Sequence, residues 1–534
     1  MSAFADRRVL AGSVALAGIA LLVGGAFLGL AAEGARQPGA AVSAFDPYLL
    51  RLVRFTLWQA ALSTVLSVVP GMLLARALSR HPSFPGRALL LRLFAVPLGI
   101  PAIVAALGLL ALYGRAGFLA GPLTALAGET WPGIYGLSGI LVAHAFFNIP
   151  LATRFFLEAL NAVGTDQWRL ASQLGMGAGP SFRFIEWPAM RAALPGVAGL
   201  VFMLCVTSFT LVLTLGGGPA ATTLEVAIYQ ALRFDFDPAR AVALTLTQIA
   251  LTAVVMVILA RAGAEMVPDA SLALSSERPR DAGAFETVVN AILLVAGLLF
   301  VAAPLGAIAL AGLGADLARL AGEPIVQATA FTSLVLALLA AVLCITLTWA
   351  LVAGRHALAT RGSTTMLARL METGAGYVLV VPPIVIGAGW FVLLRTTSDV
   401  FVLAPVMVVA VNAVMAMPFA MRVLRPAHDA AAERHDRLCL SLGIRGFDRL
   451  RLVDGPVLGG AALTAGAFAM ALSLGDLGVI ALFGSDAVQT LPYLLLARMG
   501  SYRTADAAGL ALILGVICLA LMALADRLGR DLPR

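Results

Sequence analysis

The 534-residue chain contains no lysine, so all 36 of its basic residues are arginines. A phosphate-binding loop of the form G-x-x-x-x-G-K-[ST] needs lysine to reach the β and γ phosphates, and this chain therefore cannot be an ATPase by itself. Cysteine is also scarce. Cys205, Cys344, Cys439 and Cys518 show no paired spacing and three lie inside apolar runs, which argues for packing roles over disulfides or a metal site. The five histidines, His144, His428 and His435 among them, have no partner at metal-ligand spacing, and no G-x-S-x-G places a nucleophile at a strand-to-helix turn. No metal, cofactor or catalytic residue is expected. Charge itself is short: 12% of residues are charged against 60% apolar, with mean hydropathy +0.96. Such a chain has too little polar surface to cover a soluble globule of its size, and it belongs in a bilayer.

What is present are long apolar runs. Crossing about 30 Å of hydrocarbon takes roughly 20 helical residues, and runs of that length fall near 9–32, 55–75, 93–112, 134–153, 192–215 and 241–260. A second set follows near 288–313, 329–353, 373–394, 400–421, 457–483 and 505–525. The expectation is an all-α polytopic membrane protein with about twelve spans, six in each half; alternation of period two, the mark of a membrane β-barrel, is missing. Arg7 and Arg8 precede the first run as in a signal peptide, but the uncharged stretch 9–32 exceeds the 7 to 15 residues of a cleavable apolar core, so a retained helix is expected. Most arginines fall on the termini or on loops after even-numbered spans, which predicts cytoplasmic termini. The formal charge of +7 then reflects topology rather than nucleic-acid binding.

The halves repeat each other. At an offset of 268 positions Arg169, Leu174, Gly175 and Pro188 fall on Arg437, Leu442, Gly443 and Pro456. In the same register Pro150 meets Pro418, Arg154 meets Arg422, Arg183 meets Arg451, Gly216 meets Gly484, Thr222 meets Thr490 and Leu244 meets Leu512. Chance similarity of apolar helices would not also align glycine, proline and arginine through polar loops, so the chain is a tandem fusion. We expect a first unit at 1–265, a cytoplasmic linker at 266–286 and a second unit at 287–534, related by an axis along the membrane normal because six spans preserve polarity.

The two arginine-rich loops, 154–191 and 422–456, are far longer than a simple connection requires. A leucine-glycine pair, with Met176 or Ile444 after it and a proline 13 residues past the glycine, predicts helix, turn, short helix and membrane re-entry. A cytoplasmic partner is expected to dock there; Arg154, Arg183, Arg422 and Arg451 either fix the loops to that partner or to lipid phosphates, or serve only as topology determinants. On the opposite face, 222–234 and 490–502 read as short amphipathic segments. Polar groups on equivalent spans, Ser208, Thr210 and Thr214 in one half and Ser473 and Asp476 in the other, are the candidate lining of a path between the halves; Asn148 and Asn412 are expected to hydrogen-bond between helices. Asp476, an acid deep in an apolar run, costs about 2.5 to 3.5 kcal/mol on insertion scales and should face protein or water.

The spacing of Gly175 to Pro188 and Gly443 to Pro456 resembles the coupling loop of permease subunits of ATP-binding-cassette importers, written E-A-A, three residues, G. The chain departs from that pattern at the glutamate, replaced by Arg169 and Arg437, and keeps an alanine only at Ala171. The resemblance therefore implies the turn and short helix but not the glutamate's own contact. It covers most of both halves and implies the type I importer fold, a separate cytoplasmic ATPase, as a dimer, docked at the loops, and a periplasmic substrate-binding protein. Fused permeases of this length include those of ferric-iron and thiamine importers. The segments FTLWQAALSTVLSVVPGMLLARAL (55–78), FRFIEWPAMRAALPGVAGLVFMLC (182–205), LGGGPAATTLEVAIYQALRFDFDPARA (215–241) and GDLGVIALFGSDAVQTLPYLLLARMGSYRTADAA (475–508) are similar to the thiamine branch, which implies uptake of thiamine and its phosphates. A stand-alone secondary transporter is the rival from another class, with twelve spans but no use for the repeated loops.

Overall fold

The computed structural model describes residues 2–36, 39, 46–261, 283–360, 366–377, 381–395, 400–444, 446–485 and 488–531. Most of the expected linker at 266–286 lies outside the described residues. In the first half the helices are α1 (Ser2–Arg36), α2 (Pro47–Arg80), α3 (Arg87–Ala95), α4 (Ala102–Tyr113), α5 (Leu137–Asn161), α6 (Thr165–Gln173), α7 (Trp187–Val206), α8 (Thr210–Leu215), α9 (Leu224–Arg233) and α10 (Pro238–Arg261). The second half continues with α11 (Ala284–Leu313), α12 (Pro324–Ala359), α13 (Met366–Tyr377), α14 (Pro383–Leu394), α15 (Ala404–Ser441), α16 (Gly455–Gly475), α17 (Gly478–Phe483), α18 (Leu491–Gly500) and α19 (Thr504–Asp531). Among the described residues the sole β feature is an isolated bridge between Ser485 and Val488.

Among the described residues ten helices are individually long and apolar enough to cross a membrane. The other two expected spans are broken. The run 93–112 folds as a helical pair bent by 116°, because Pro97 opens a short 3₁₀ turn and Pro101 precedes α4, and neither proline can donate the backbone hydrogen bond that would continue α3. The run 373–394 falls on α13, on undescribed residues 378–380 and on the twelve-residue α14, which starts at Pro383. Two further expected spans are longer than the helices that fill them. Residues 192–215 divide into α7 and α8 around 207–209, and 457–483 divide into α16 and α17 around Asp476 and Leu477.

The halves interlock through their first helices. α1 packs on α12 and α14, while α11 packs on α2, α4 and α3. Small residues make the first crossing possible: a Cβ built on Gly29 would lie 2.3 Å from the Gly389 carbonyl oxygen, and one on Gly389 would lie 2.3 Å from that of Ala26. Backbones can meet so closely only where neither helix carries a side chain, the usual device of membrane helix pairs. Trp390 Nε1 then donates to the Leu22 carbonyl at 2.7 Å. Buried apolar residues of α1, α4, α9, α12, α14, α15, α17 and α19 form one continuous core across both halves.

Candidate functional site: repeated loops and a cluster of helix breaks

Each arginine loop turns on a glycine that only glycine tolerates cheaply. After α6 the backbone enters the left-handed region at Gly175 (φ +61°), and after α15 it does so at Gly443 (φ +69°). The Met176 N–H donates to the Ala171 carbonyl at 3.0 Å and Gly175 to Ser172 at 3.0 Å; Ile444 donates to Cys439 at 2.9 Å and Gly443 to Leu440 at 3.4 Å. This is the Schellman pattern in both halves, and it satisfies the last helical carbonyls. The turn aims matched side chains outward. Ala171 and Cys439 are buried, whereas Leu170, Leu174, Leu438 and Leu442 are 55 to 68% exposed. Arg169 and Arg437 are exposed too, and Arg169 pairs loosely with Asp166 at 3.8 Å. Exposed leucines on an arginine-bearing knob form the kind of patch that a protein partner covers.

Behind each turn the chain passes through a π-helical segment, 182–186 or 450–454, and re-enters the apolar body with Pro188 or Pro456 in the first turn of α7 or α16. The proline costs nothing there, since the first N–H groups of a helix have no intrahelical acceptor. Each π segment ends on a buried acid. Glu186 accepts from Arg76 at 2.9 Å and Arg80 at 2.8 Å, and Glu286 of α11 closes the cluster with Arg76 at 2.7 Å and Arg80 at 2.9 Å. Asp454, at the same repeat position, binds Arg449 at 3.2 Å and lies 4.0 Å from Arg8. Arg449 also reaches Asp436 at 2.6 Å. Burial works against the Arg449 charge, but its bond to Asp436 and its attraction to Asp454 outweigh burial and raise its pKa above the ordinary arginine value.

His356, His428 and Asp429 bring one possible ligand atom each within 4.8 Å of one another, a grouping that local spacing does not reveal because α12 and α15 supply it jointly. Asp429 accepts from Arg355 at 2.6 Å and lies 3.9 Å from Arg425, and His356 bonds Asp436 at 2.9 Å. With two guanidinium groups beside the carboxylate, the arrangement is an ion-pair network that repels a cation.

The helix breaks lie at the other candidate region. Ser208 and Asp476 occupy the same repeat position, each in the gap between a long helix and a short one. A Cβ built on Gly478 would lie 3.8 Å from Phe209, and one on Gly475 would lie 3.2 Å from Pro101. The breaks of the third, fifth and eleventh spans therefore converge where the halves meet. Asp476 stands at a helix end, not in mid-helix as the apolar run suggested: its backbone is extended (φ −70°, ψ 127°), and its Oδ1 accepts from the Gly478 N–H at 3.1 Å. Helix-terminal N–H groups give its charge a partner that a continuous helix would withhold.

The protein-family model described as the binding-protein-dependent transport system inner membrane component matches residues 67–266. The chain is 57% identical over 520 residues, 97% of its length and 95% of the relative's, to the thiamine transport system permease protein ThiP of Brucella abortus (strain 2308). The corresponding proteins of Escherichia coli (strain K12) and Haemophilus influenzae (strain ATCC 51907 / DSM 11121 / KW20 / Rd) are 44% and 37% identical, covering 91% and 96% of this chain and 90% and 94% of theirs. The chain belongs to this family of inner-membrane transport components. The permease is thus a multi-pass protein of the inner membrane.

Of the expected path residues of the permease, Ser473 accepts from Asn412 Nδ2 at 3.0 Å, and Thr214 donates to its own helix at Thr210 O, 2.8 Å away. Asn148 donates to Cys205 Sγ at 3.4 Å, so both asparagines bridge helices. All four cysteines are free and buried. The segments expected to be amphipathic are largely internal instead: α9 buries Leu224 to Leu232 apart from Gln230, and its N-terminus is tied down by Leu224 N–H donating to Thr56 Oγ1 at 3.1 Å. α18 is held likewise by Leu491 N–H to Ser333 Oγ at 2.8 Å. Only the chain beyond α9 and α18 projects, with Phe234, Phe236 and Tyr502 63 to 92% exposed. Sequence reasoning missed Glu186 and Asp454, although both stand two positions before the repeat's re-entry proline, and it missed Glu225, which has no acidic counterpart at Tyr493.

Proposed function

We propose that the permease carries thiamine and its phosphates into the cell, driven by ATP hydrolysis on a separate subunit. The observation that carries the substrate is the 57% identity across 97% of the chain to a thiamine transport system permease. A dimeric ATPase takes the two loops, one per subunit, through Leu174, Gly175, Met176, Leu442, Gly443 and Ile444, with Arg169 and Arg437 beside them; Pro188 and Pro456 fix where each loop rejoins the membrane. The matched exposed leucines and paired Schellman turns support this reading, because two equal knobs suit two equal grooves. Closure of the ATPases on ATP draws the knobs together, and the helix breaks between the halves change the side to which the path opens.

The loop face is cytoplasmic, as are both termini. Arg7, Arg8 and the loop arginines support that orientation, and Arg154, Arg183, Arg422 and Arg451 sit where lipid phosphates or the ATPase can meet them. A periplasmic binding protein delivers the solute to the opposite face, where the exposed Phe234, Phe236 and Tyr502 offer it apolar contacts. The two units, 1–265 and 287–534, joined by 266–286, act as the paired subunits of an unfused importer.

The test is uptake of labelled thiamine into cells or vesicles holding the permease, its ATPase and its binding protein, with Gly443→Pro as the broken variant. Proline cannot take the positive φ of that turn, so uptake is expected to vanish while the protein stays in the membrane. Transport that persists without the ATPase would overturn the importer reading in favour of a secondary transporter; ATP-driven carriage of iron and not thiamine would overturn the substrate alone.

A further inference from the structure

We propose that the helix breaks form a binding site for an aromatic organic cation, with Asp476 as its counter-charge, the Phe209–Tyr229 pair as its aromatic wall and Glu225 as a second acid behind that wall. This deepens the thiamine reading and rests on it. The starting observation is a carboxylate bonded through one oxygen and not the other. Asp476 caps α17 with Oδ1, yet Oδ2 is shielded from solvent and has no hydrogen-bond partner. Glu225 is 1% exposed, and its Oε1 also has none. A buried carboxylate oxygen without a partner is costly to keep, and acids at membrane depth mark the route of a solute or ion.

The two acids belong to different halves, Asp476 beside an aromatic pair and Glu225 on the helix that carries one of its rings. Phe209, at the first-half break, stands edge-on to Tyr229 with ring centroids 5.5 Å apart and planes at 76°. Tyr229 is one helical turn beyond Glu225 and so shares its face of α9. From the other side, a Cβ built on Gly478 would lie 3.6 Å from Asp476 Oδ1 and 3.8 Å from Phe209 Cδ1, which places carboxylate and ring against the same small space. Arg233, the one cation on α9, lies one turn beyond Tyr229 but is held by acceptors of its own, donating to Gly484 O at 3.0 Å and Tyr493 Oη at 3.3 Å. Aromatic faces and a carboxylate together select a flat cation. The repeat sharpens the point: Ser208 stands where the second half has Asp476, and Tyr493 stands where the first has Glu225. Neither acid is therefore demanded by the shared fold.

Asp476→Asn separates charge from structure, since asparagine caps a helix about as well as aspartate. Thiamine uptake and binding-protein-stimulated ATP hydrolysis are measured together on the full permease–ATPase complex in vesicles. The expected result is a fall in uptake of about tenfold or more with stimulated hydrolysis unchanged, and recovery of part of the uptake in Asp476→Glu. Unchanged uptake in Asp476→Asn overturns the site, as does loss of uptake and stimulation together, which makes Asp476 a structural cap or gate. So does an Asp476→Glu variant no better than the asparagine one. A wild-type complex that is stimulated but carries no thiamine overturns the substrate reading, and the cation site with it.

Discussion

In the first half α5 ends at Asn161, the backbone breaks over 162–164 and the chain restarts as α6, whereas in the second half α15 runs from Ala404 to Ser441 through the same repeat positions. The local sequences account for the difference. Ala162, Val163, Gly164 and Thr165 face Ala430, Ala431, Ala432 and Glu433, and three alanines with a glutamate favour helix where valine, glycine and threonine do not. The first exposed turn thus sits on a jointed arm and the second on a continuous rod. The anchors differ in the same sense: Glu186 depends on two arginines of α2 that also hold α11, while Asp454 belongs to a wider network spread over α1, α12, α15 and the chain before α16. The two loops share the turn, the π segment and the proline and differ in how stiffly these are mounted.

The largest contrast is expected at the buried acids. Glu186→Ala takes a partner from two arginines at once and leaves Arg76 and Arg80 sharing the single carboxylate of Glu286, so it should cost about 3 to 5 kcal/mol. Asp454→Ala takes a close partner from Arg449 alone, which keeps its bond to Asp436, and should cost about 1 to 3 kcal/mol. The temperature at which each purified variant aggregates measures both, and an Asp454→Ala protein that is the less stable of the two would break the comparison. The knobs should instead behave alike. Leu174→Glu and Leu442→Glu each place a charge on an exposed apolar contact and should weaken recovery of the ATPase with the permease by about 1 to 2 kcal/mol; unequal losses would show that the jointed and rigid arms grip differently. The smallest effect concerns the joint itself. Gly164 is the extended N-cap of α6 (φ −61°, ψ 144°) with no atom within 4 Å of a built Cβ. Gly164→Ala should therefore weaken that cap by about 0.5 kcal/mol while favouring a helix continued through the joint by about 1 kcal/mol, a net shift toward the rod that slows amide exchange over 162–165, with Ala432→Gly doing the reverse over 430–433. Equal exchange in all three proteins would mean that tertiary contacts, not propensity, make the joint.

Much of this was legible in the residues. Hydropathy located the spans because a bilayer admits only long apolar helices, and the repeat located both glycine turns because glycine at positive φ and proline at a helix start are needs of the backbone, independent of what packs nearby. Hydropathy did not show the breaks at Pro101, Ser208 and Asp476: an apolar run interrupted within the protein is as hydrophobic as a continuous one, and the freed backbone groups find partners inside the fold. Nor did it show that α9 is internal, since a short helix with scattered polar residues looks alike at a surface and in a polar-lined interior.

The sequence by itself determined that this is a multi-pass membrane protein with a glycine-and-proline loop pattern repeated at a fixed offset, because composition, period and backbone-restricted residues are local properties. Only the tertiary structure decided that each half lends its first helix to the other, that Glu186 and Asp454 are anchored by different arginines, and that Asp476 and the Phe209–Tyr229 pair border the same small space. Those are contacts between segments up to hundreds of residues apart, and close approach of that kind depends on which surfaces fit, as Gly29 against Gly389 shows.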